Sequence, residues 1–201
     1  MKQRLFFYLV GIFIMGLGVA LTIKADLGVG AWDALNVGLE NTFGLTIGKW
    51  VIIVGVVLLF VNAIIVKGRP KFLAAITFVL IGFSIDFWML QVFDKLIPDL
   101  LVTKFVILSF GIFMLAMGVA MYLQAEFPVN PIDNLMLSLH ERFHFSLMKS
   151  RLIGELSALL IAFLLHGPIG IGTIIIALTV GPLIQLCNAS FETLFTKKNF
   201  G

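Results

Sequence analysis

A single cysteine, Cys187, stands among 201 residues. No intrachain disulfide can form, and a thiolate metal site has no second sulfur to draw on. Charge is scarce as well. Asp, Glu, Lys and Arg make up 12% of the chain, about half of what a soluble domain carries. The net charge of +3 is too small, and the basic residues too scattered, to follow nucleic-acid phosphates. What is present instead is apolar: 60% of the residues are hydrophobic and the mean hydropathy is +1.10. The composition points to the bilayer before any motif is read.

A span needs about 20 mostly apolar residues. Five segments fit directly: 5–23, 50–66, 72–92, 105–123 and 171–187. The first resembles a secretory signal, but its apolar run is longer than a signal core, and we read it as a retained helix. A sixth span, 147–165, fits if Lys149, Arg151 and Glu155 are tolerated near its start. Two apolar-rich stretches, 31–43 and 131–143, are too short to cross and are predicted as interfacial or re-entrant helices. With six spans and a cytoplasmic N-terminus, ten of the Lys and Arg residues fall on the inner side and four (Lys24, Lys49, Lys95, Lys104) on the outer. That bias is the one the positive-inside rule expects. Trp32, Trp50 and Trp88 then lie near the outer interface, and Tyr8 and Tyr122 near the inner one.

The chain also repeats itself. A shift of 100 residues gives 13 identities over the 39 positions from Gly11 to Lys49, among them Gly11 with Gly111, Gly18 with Gly118, Asp33 with Asp133 and Lys49 with Lys149. With a shift of 99, Gly68 meets Gly167 and Gly82 meets Gly181. Apolar bias inflates apolar matches but not the Asp, Lys and Gly coincidences. The predicted fold is an all-α membrane protein of six transmembrane helices. It consists of two three-span units, residues 1–98 and 99–201, each with one short helix. Three spans per unit is an odd number, so the second unit enters from the opposite face. Inverted repeats of this kind are typical of transporters, with the binding site at the repeat interface.

Several polar residues stand out against this background. Asp33 and Asp133 begin the two short helices, after the breakers Gly28, Gly30, Pro128 and Pro131. An Asp there either caps the helix or lines a polar cavity and takes part in substrate or proton binding. Asp86, within the third span, is costly at bilayer depth and is a functional candidate by default. It is also near the outer end, beside Trp88, where it can reach the interface; its repeat counterpart is Gln185. Glu155 stands one turn after Arg151, as either a helix-surface ion pair or an intramembrane titrating acid. Asn62 and Asn188 add polar capacity, and Thr46 and Ser146 read as N-caps of the spans that follow. The candidate binding set is Asp33, Asp133, Asp86 and Glu155, with Trp32 and Asn130 beside the first two.

His140-Glu141-Arg142-Phe143-His144 spells H-E-x-x-H, a zinc-protease pattern when both imidazoles share a helix face. Its repeat counterpart, Glu40 to Gly44, holds no ligand set, and Arg142 would repel a cation. A solvated helix end is the plainer reading. The glycines Gly11, Gly16 and Gly18, with Gly111, Ala116 and Gly118 on the counterpart, let helices approach closely. The first and fourth spans are therefore expected to pack together. "KGRPK", 67–71, is a tight cytoplasmic turn.

The strings "GLGVALTIKADLGVGAWDAL", "GLTIGKW" and "KGRPKF" resemble the YczE-like group of bacterial integral membrane proteins, within the broader YitT/YczE set, over essentially the whole chain. That group usually shows a Pro before the Trp-Asp, where this chain has Ala31; the second copy keeps Pro131 and has Ile132 in place of the Trp. The departure weakens a role for Trp32 and leaves the fold untouched. The resemblance implies a multi-pass protein of the bacterial cytoplasmic membrane, and architecture rather than activity.

The function expected is that of a small transporter or exporter, non-enzymatic and without cofactor or bound metal. The excess of acids among the buried candidates favours a cationic or proton-coupled small molecule. Its partners are the lipid bilayer, that substrate, and a second copy or a partner subunit. The alternative is a substrate-binding or sensory accessory subunit of a larger membrane complex; an intramembrane metalloprotease is remote.

Overall fold

The computed structural model describes residues 2–70, 72–125, 127 and 130–198, without the side chains of Lys2 and 192–198. Lys71, Glu126, Pro128 and Val129, which enter the charge bias, the repeat and the breakers above, lie outside the described residues, as do the side chains of Lys197 and Lys198. Among the described residues the chain is helical, without strands. The helices are α1 (Lys2–Lys24), α2 (Ala31–Phe43), α3 (Ile47–Ile65), α4 (Leu73–Phe87), α5 (Leu101–Gln124), α6 (Pro131–Phe143), α7 (Leu147–Leu164) and α8 (Ile171–Lys198), with a π-helical segment, Trp88–Val92, continuing α4. Both short helices run over the residues expected of them. They begin after breakers and end on left-handed residues one repeat apart, Gly44 (φ 75°) and His144 (φ 56°). A glycine takes that conformation at no cost, whereas a histidine gives up about 1 kcal/mol or more.

Five helices are long and apolar enough to cross a bilayer among the described residues: Gln3–Lys24, Ile47–Ile65, Leu73–Val92, Leu101–Gln124 and Ile171–Phe191. The expected sixth span, α7, is a helix of 18 residues carrying Lys149, Arg151 and Glu155 in its first half. Large apolar side chains stand exposed along the helices, such as Ile64, Phe83, Val102, Met148 and Leu178. An apolar exterior of this extent is what lipid, not water, stabilises.

The described residues form two compact units, each drawing on both halves of the repeat. The first holds residues 1–30, 87–127 and 170–201. Its centre is the expected crossing of α1 and α5. A Cβ placed on Gly11 would lie 2.9 Å from the Gly118 carbonyl oxygen, and one on Gly18 would lie 2.8 Å from that of Gly111. The two helices touch backbone to backbone, the close approach that dispersion and packing need where lipid replaces water. Ala25, Leu108, Ile112 and Ile176 form the buried apolar cluster of this unit. The segment after α1 is tied to α8, where Gly172 N–H donates to the Leu27 carbonyl at 2.7 Å. Gly28 (φ 99°) leaves no room there for a side chain against Gly170.

The second unit holds residues 31–86 and 128–169. Within it α3 and α4 meet at Gly48 and Gly82, and Gly55 accommodates the buried Phe78 ring. The inward stripe of α7 is Ser150, Gly154, Ala158 and Ala162, one small residue per turn. That stripe lets the short helices approach: a Cβ on Gly154 would lie 3.6 Å from Leu135 and 3.8 Å from the Trp32 ring.

Candidate functional site

The acids expected to line a cavity have separate fates, all within the second unit. Asp86 is engaged in structure. Its carboxylate accepts from the Thr46 hydroxyl at 2.6 Å and from Gly48 N–H at 2.8 Å. The Thr46 oxygen in turn accepts from Lys49 N–H at 3.3 Å. Two of the N–H groups that a helix start leaves unpaired are thus satisfied, and a negative group sits at the positive end of α3. Such a charge-assisted cap is worth about 1–2 kcal/mol, and it also fastens α4 to α3. Thr46 is an N-cap as expected, and so is its counterpart Ser146, which accepts from Lys149 N–H at 3.3 Å.

Glu155 takes the Arg151 guanidinium Nε at 2.9 Å, the surface i,i+4 pair. Asn130 is the N-cap of α6, its Oδ1 accepting from Ile132 N–H at 3.2 Å, with Pro131 in the first turn. Asp133 stands in the same first turn, two residues further in. Asp33 corrects the capping expectation. It is the third residue of α2, past the cap position, and no hydrogen bond reaches its carboxylate among the described residues. One turn on, Asn36 is 4% exposed and its Oδ1 is also without a partner. Sequence reading did not single out Asn36, since a lone Asn in a short amphipathic helix gives no signal of burial.

Asp33 lies outside the candidate spans, and burial alone raises its carboxyl from 3.8 to about 7. Between those values the unfolded chain is ionised and the folded chain is not, so stability falls as pH rises through that window and stays low above it. Asp33→Asn is expected to flatten this dependence. The melting temperature of the variant in detergent should exceed wild type at pH 8 and converge with it only as pH falls to about 4. Equal pH profiles for the two proteins would show that Asp33 is solvated and ordinary.

The H-E-x-x-H pattern does not assemble. His144 has left the helix as its left-handed C-cap, and the His140 ring Nδ1 is held by the Phe145 carbonyl. Two imidazoles on one helical face are not formed.

The second unit contains a cavity of about 310 Å³ that none of the six expected residues lines. It lies between the end of α3, the turn that follows and α6. Its walls are apolar at Leu59, Ala63, Val66 and Leu137, and polar at Asn62, Asn134 and Ser138; Arg69 and Glu141 complete it. Asn62 is 8% exposed. Its Nδ2 donates to the Pro131 carbonyl at 2.9 Å, while its Oδ1 has no partner among the described residues. Arg69 and Glu141 are exposed and make no ion pair or hydrogen bond among the described residues.

The repeat supplies a second copy of this place. The turn after α3 puts Lys67 at φ 51° and donates Gly68 N–H to the Ala63 carbonyl at 2.9 Å. The turn after α7 puts His166 at φ 54° and donates Gly167 N–H to the Ala162 carbonyl at 2.8 Å. The two turns are built alike, 99 residues apart, yet their surroundings differ. Gly167 is pressed on α2: a Cβ there would lie 3.0 Å from the Ala34 carbonyl carbon. One on Gly38 would lie 3.1 Å from Leu165 Cβ and 3.2 Å from Gly167 N. Around Gly68 no described residue lies within 4 Å of an added Cβ. The counterparts of Ala34, Gly38, Leu165 and Gly167 are Asn134, Ser138, Val66 and Gly68, and all four line the cavity. One end is sealed and its twin is open.

Comparison with known proteins agrees with the sequence resemblance. The chain matches DUF6198, described as a family of unknown function, over residues 2–189. It is 35% identical to the Bacillus subtilis "Uncharacterized protein YyaS", over 98% of this chain and 98% of that protein. It is 34% identical to the "Uncharacterized membrane protein YczE" of the same organism, over 92% of this chain and 87% of that one. An uncharacterized protein of Haemophilus influenzae is 28% identical over 86% of this chain and 77% of its own. No solved structure matches the chain significantly.

Proposed function

The chain belongs to the DUF6198 family and is a YczE-like multi-pass membrane protein, and from that premise we propose that it is a small, non-enzymatic transporter or exporter of a small molecule. It is built of six spans in two inverted units. The observation that carries this reading is the sealed turn at Gly167 beside its open twin at Gly68. Carriers made of inverted repeats work by letting the two halves exchange conformations about a common site. In any one state, equivalent places must then be unlike, one closed and the other open.

Two further observations support the inversion and the span count. Gly11 meets Gly118 and Gly18 meets Gly111. Replacing each residue by its counterpart 100 places away turns one contact into the other, as a two-fold antiparallel crossing does. α7 exposes Met148, Leu152, Leu156, Leu160 and Phe163, and its 18 residues reach about 27 Å. Its three charges lie in its first half, where Lys149 and Arg151 can reach an interface and Glu155, at the midpoint, pairs with Arg151. By the positive-inside bias both termini are cytoplasmic and the open cavity, beside Lys67 and Arg69, faces the cytoplasm. Asp33, without a partner beside Asn36, is the acid placed to exchange a proton when the opposite end opens.

Cysteine accessibility tests the exchange, and the lone Cys187 is easily replaced by serine to give a silent background. Asn134→Cys and Ala34→Cys are repeat counterparts at the open and sealed ends. A membrane-impermeant thiol reagent is expected to modify Asn134→Cys rapidly from the cytoplasmic side. It should modify Ala34→Cys at least about tenfold more slowly, and only from the outer side. Ala34→Cys unreactive from both sides means a permanent cavity, held open by Asn134 and Ser138 being larger than Ala34 and Gly38, and no carrier of this kind.

A further inference from the structure

The cavity holds more than an opening. Arg69 and Glu141 bring one positive and one negative group to its wall, and neither pairs with anything among the described residues. Asn62 lines the same cavity, more than nine-tenths buried, with an oxygen that has no donor among the described residues. The α3 wall is apolar and compact at Leu59, Ala63 and Val66, while Asn134 and Ser138 on α6 add polar groups opposite. An unpaired buried acceptor is destabilising until a donor arrives, and two opposite charges that share a cavity without meeting leave room for a group between them. A purely cationic ligand would satisfy Glu141 but face Arg69, and a purely anionic one would do the reverse. Both charges are neutralised by a molecule that carries both.

We infer that the cavity binds a small zwitterion, with its anionic oxygens on Arg69, its ammonium on Glu141 and Asn62, and a compact apolar body against α3. This deepens the carrier reading by giving its substrate class. It also revises the expectation of a simple cation. The volume, about 310 Å³, is at the low end for ligand sites and suits a molecule of amino-acid size. The same chemistry exists in solution, as amino acids and phosphoethanolamine, and in the bilayer, as an ethanolamine phospholipid headgroup.

The test uses the full chain in nanodiscs of phosphatidylglycerol, which lack zwitterionic lipid. Leucine, isoamylamine and 4-methylpentanoate share one isobutyl body and differ only in charge; phosphoethanolamine adds a second zwitterion. Calorimetry is expected to show one of the two zwitterions binding at least about tenfold more tightly than both singly charged probes. Arg69→Gln should erase the preference over the amine, and Glu141→Gln the preference over the carboxylate. Both side chains are exposed and unpaired among the described residues, so neither variant should lose its fold, which a melting curve checks. Protein that ignores the soluble zwitterions, but in ethanolamine-lipid discs melts higher by a margin both variants lose, locates the zwitterion in the headgroup. Equal affinity for all charge types, no response to any zwitterion or to the lipid, or variants that bind like wild type overturn the inference. Failure here would leave the thiol-labelling asymmetry of the two ends intact, and failure of that asymmetry would leave the binding intact, so the two readings fall separately.

Discussion

Gly18→Leu is expected to yield no monodisperse protein in detergent. At Gly18 an added Cβ would meet the backbone nitrogen of Leu115 and would lie 2.6 Å from its Cα and 2.8 Å from the Gly111 carbonyl oxygen. The obstacle is main chain on every side, so no rotamer change relieves it. Overpacking a core that can shift costs about 1–3 kcal/mol; here α1 and α5 must separate as rigid rods, and the equivalent contact of Gly11 with Gly118 is lost with it. Hydrophobic collapse cannot restore the pair, because lipid tails solvate the freed surface as well as the partner helix does. Gly18→Ala should already lower the melting temperature. Gly181→Ala, on α8, is the control, since nothing lies within 4 Å of a Cβ there. Size-exclusion profiles and thermal unfolding of the three variants decide the matter. Gly18→Leu eluting and melting like wild type would mean that α1 and α5 do not cross at these glycines.

That crossing was legible in the sequence because small residues at helical spacing recur after 100 positions, and steric need leaves a trace in residue type. The two short helices were legible for a related reason: Gly and Pro breakers precede them and left-handed Gly44 or His144 ends them. Other features left no such trace. Asp86 looks like a costly charge in a span until Thr46 and Gly48, some 40 residues earlier, are seen to surround it. Capping across two helices is a tertiary fact. The compact units do not follow the repeat boundary, since duplication is a property of the gene and compactness one of packing: the zipped glycines bring one span from each half together. The cavity was invisible for the opposite reason. It is made by what fails to touch, and Asn134, Ser138, Val66 and Gly68 become informative only beside their sealed counterparts.

The sealed counterparts also fix what should happen when the open end is prevented from closing. Gly68→Val is expected to fold as wild type and to lose exchange. A Cβ at Gly68 meets no described residue within 4 Å, and the residue is not in the left-handed region, so a β-branched side chain enters without strain in the observed state. In the exchanged state Gly68 must take the part of Gly167, whose added Cβ meets the Ala34 carbonyl oxygen and stands 3.0 Å from its carbon. There a valine has no place. The same substitution at Gly167 reverses the pattern: Gly167→Val clashes in the observed state, should lower the melting temperature, and should push the population toward the exchanged one. A state raised by about 3 kcal/mol falls more than a hundredfold in population. Labelling of Ala34→Cys from the outer side is therefore expected to slow by at least about tenfold when Gly68→Val is added, with the melting temperature unchanged, and to quicken when Gly167→Val is added. Labelling rates indifferent to both valines would show that the two turns never trade places, and the carrier reading would fail at its mechanical step.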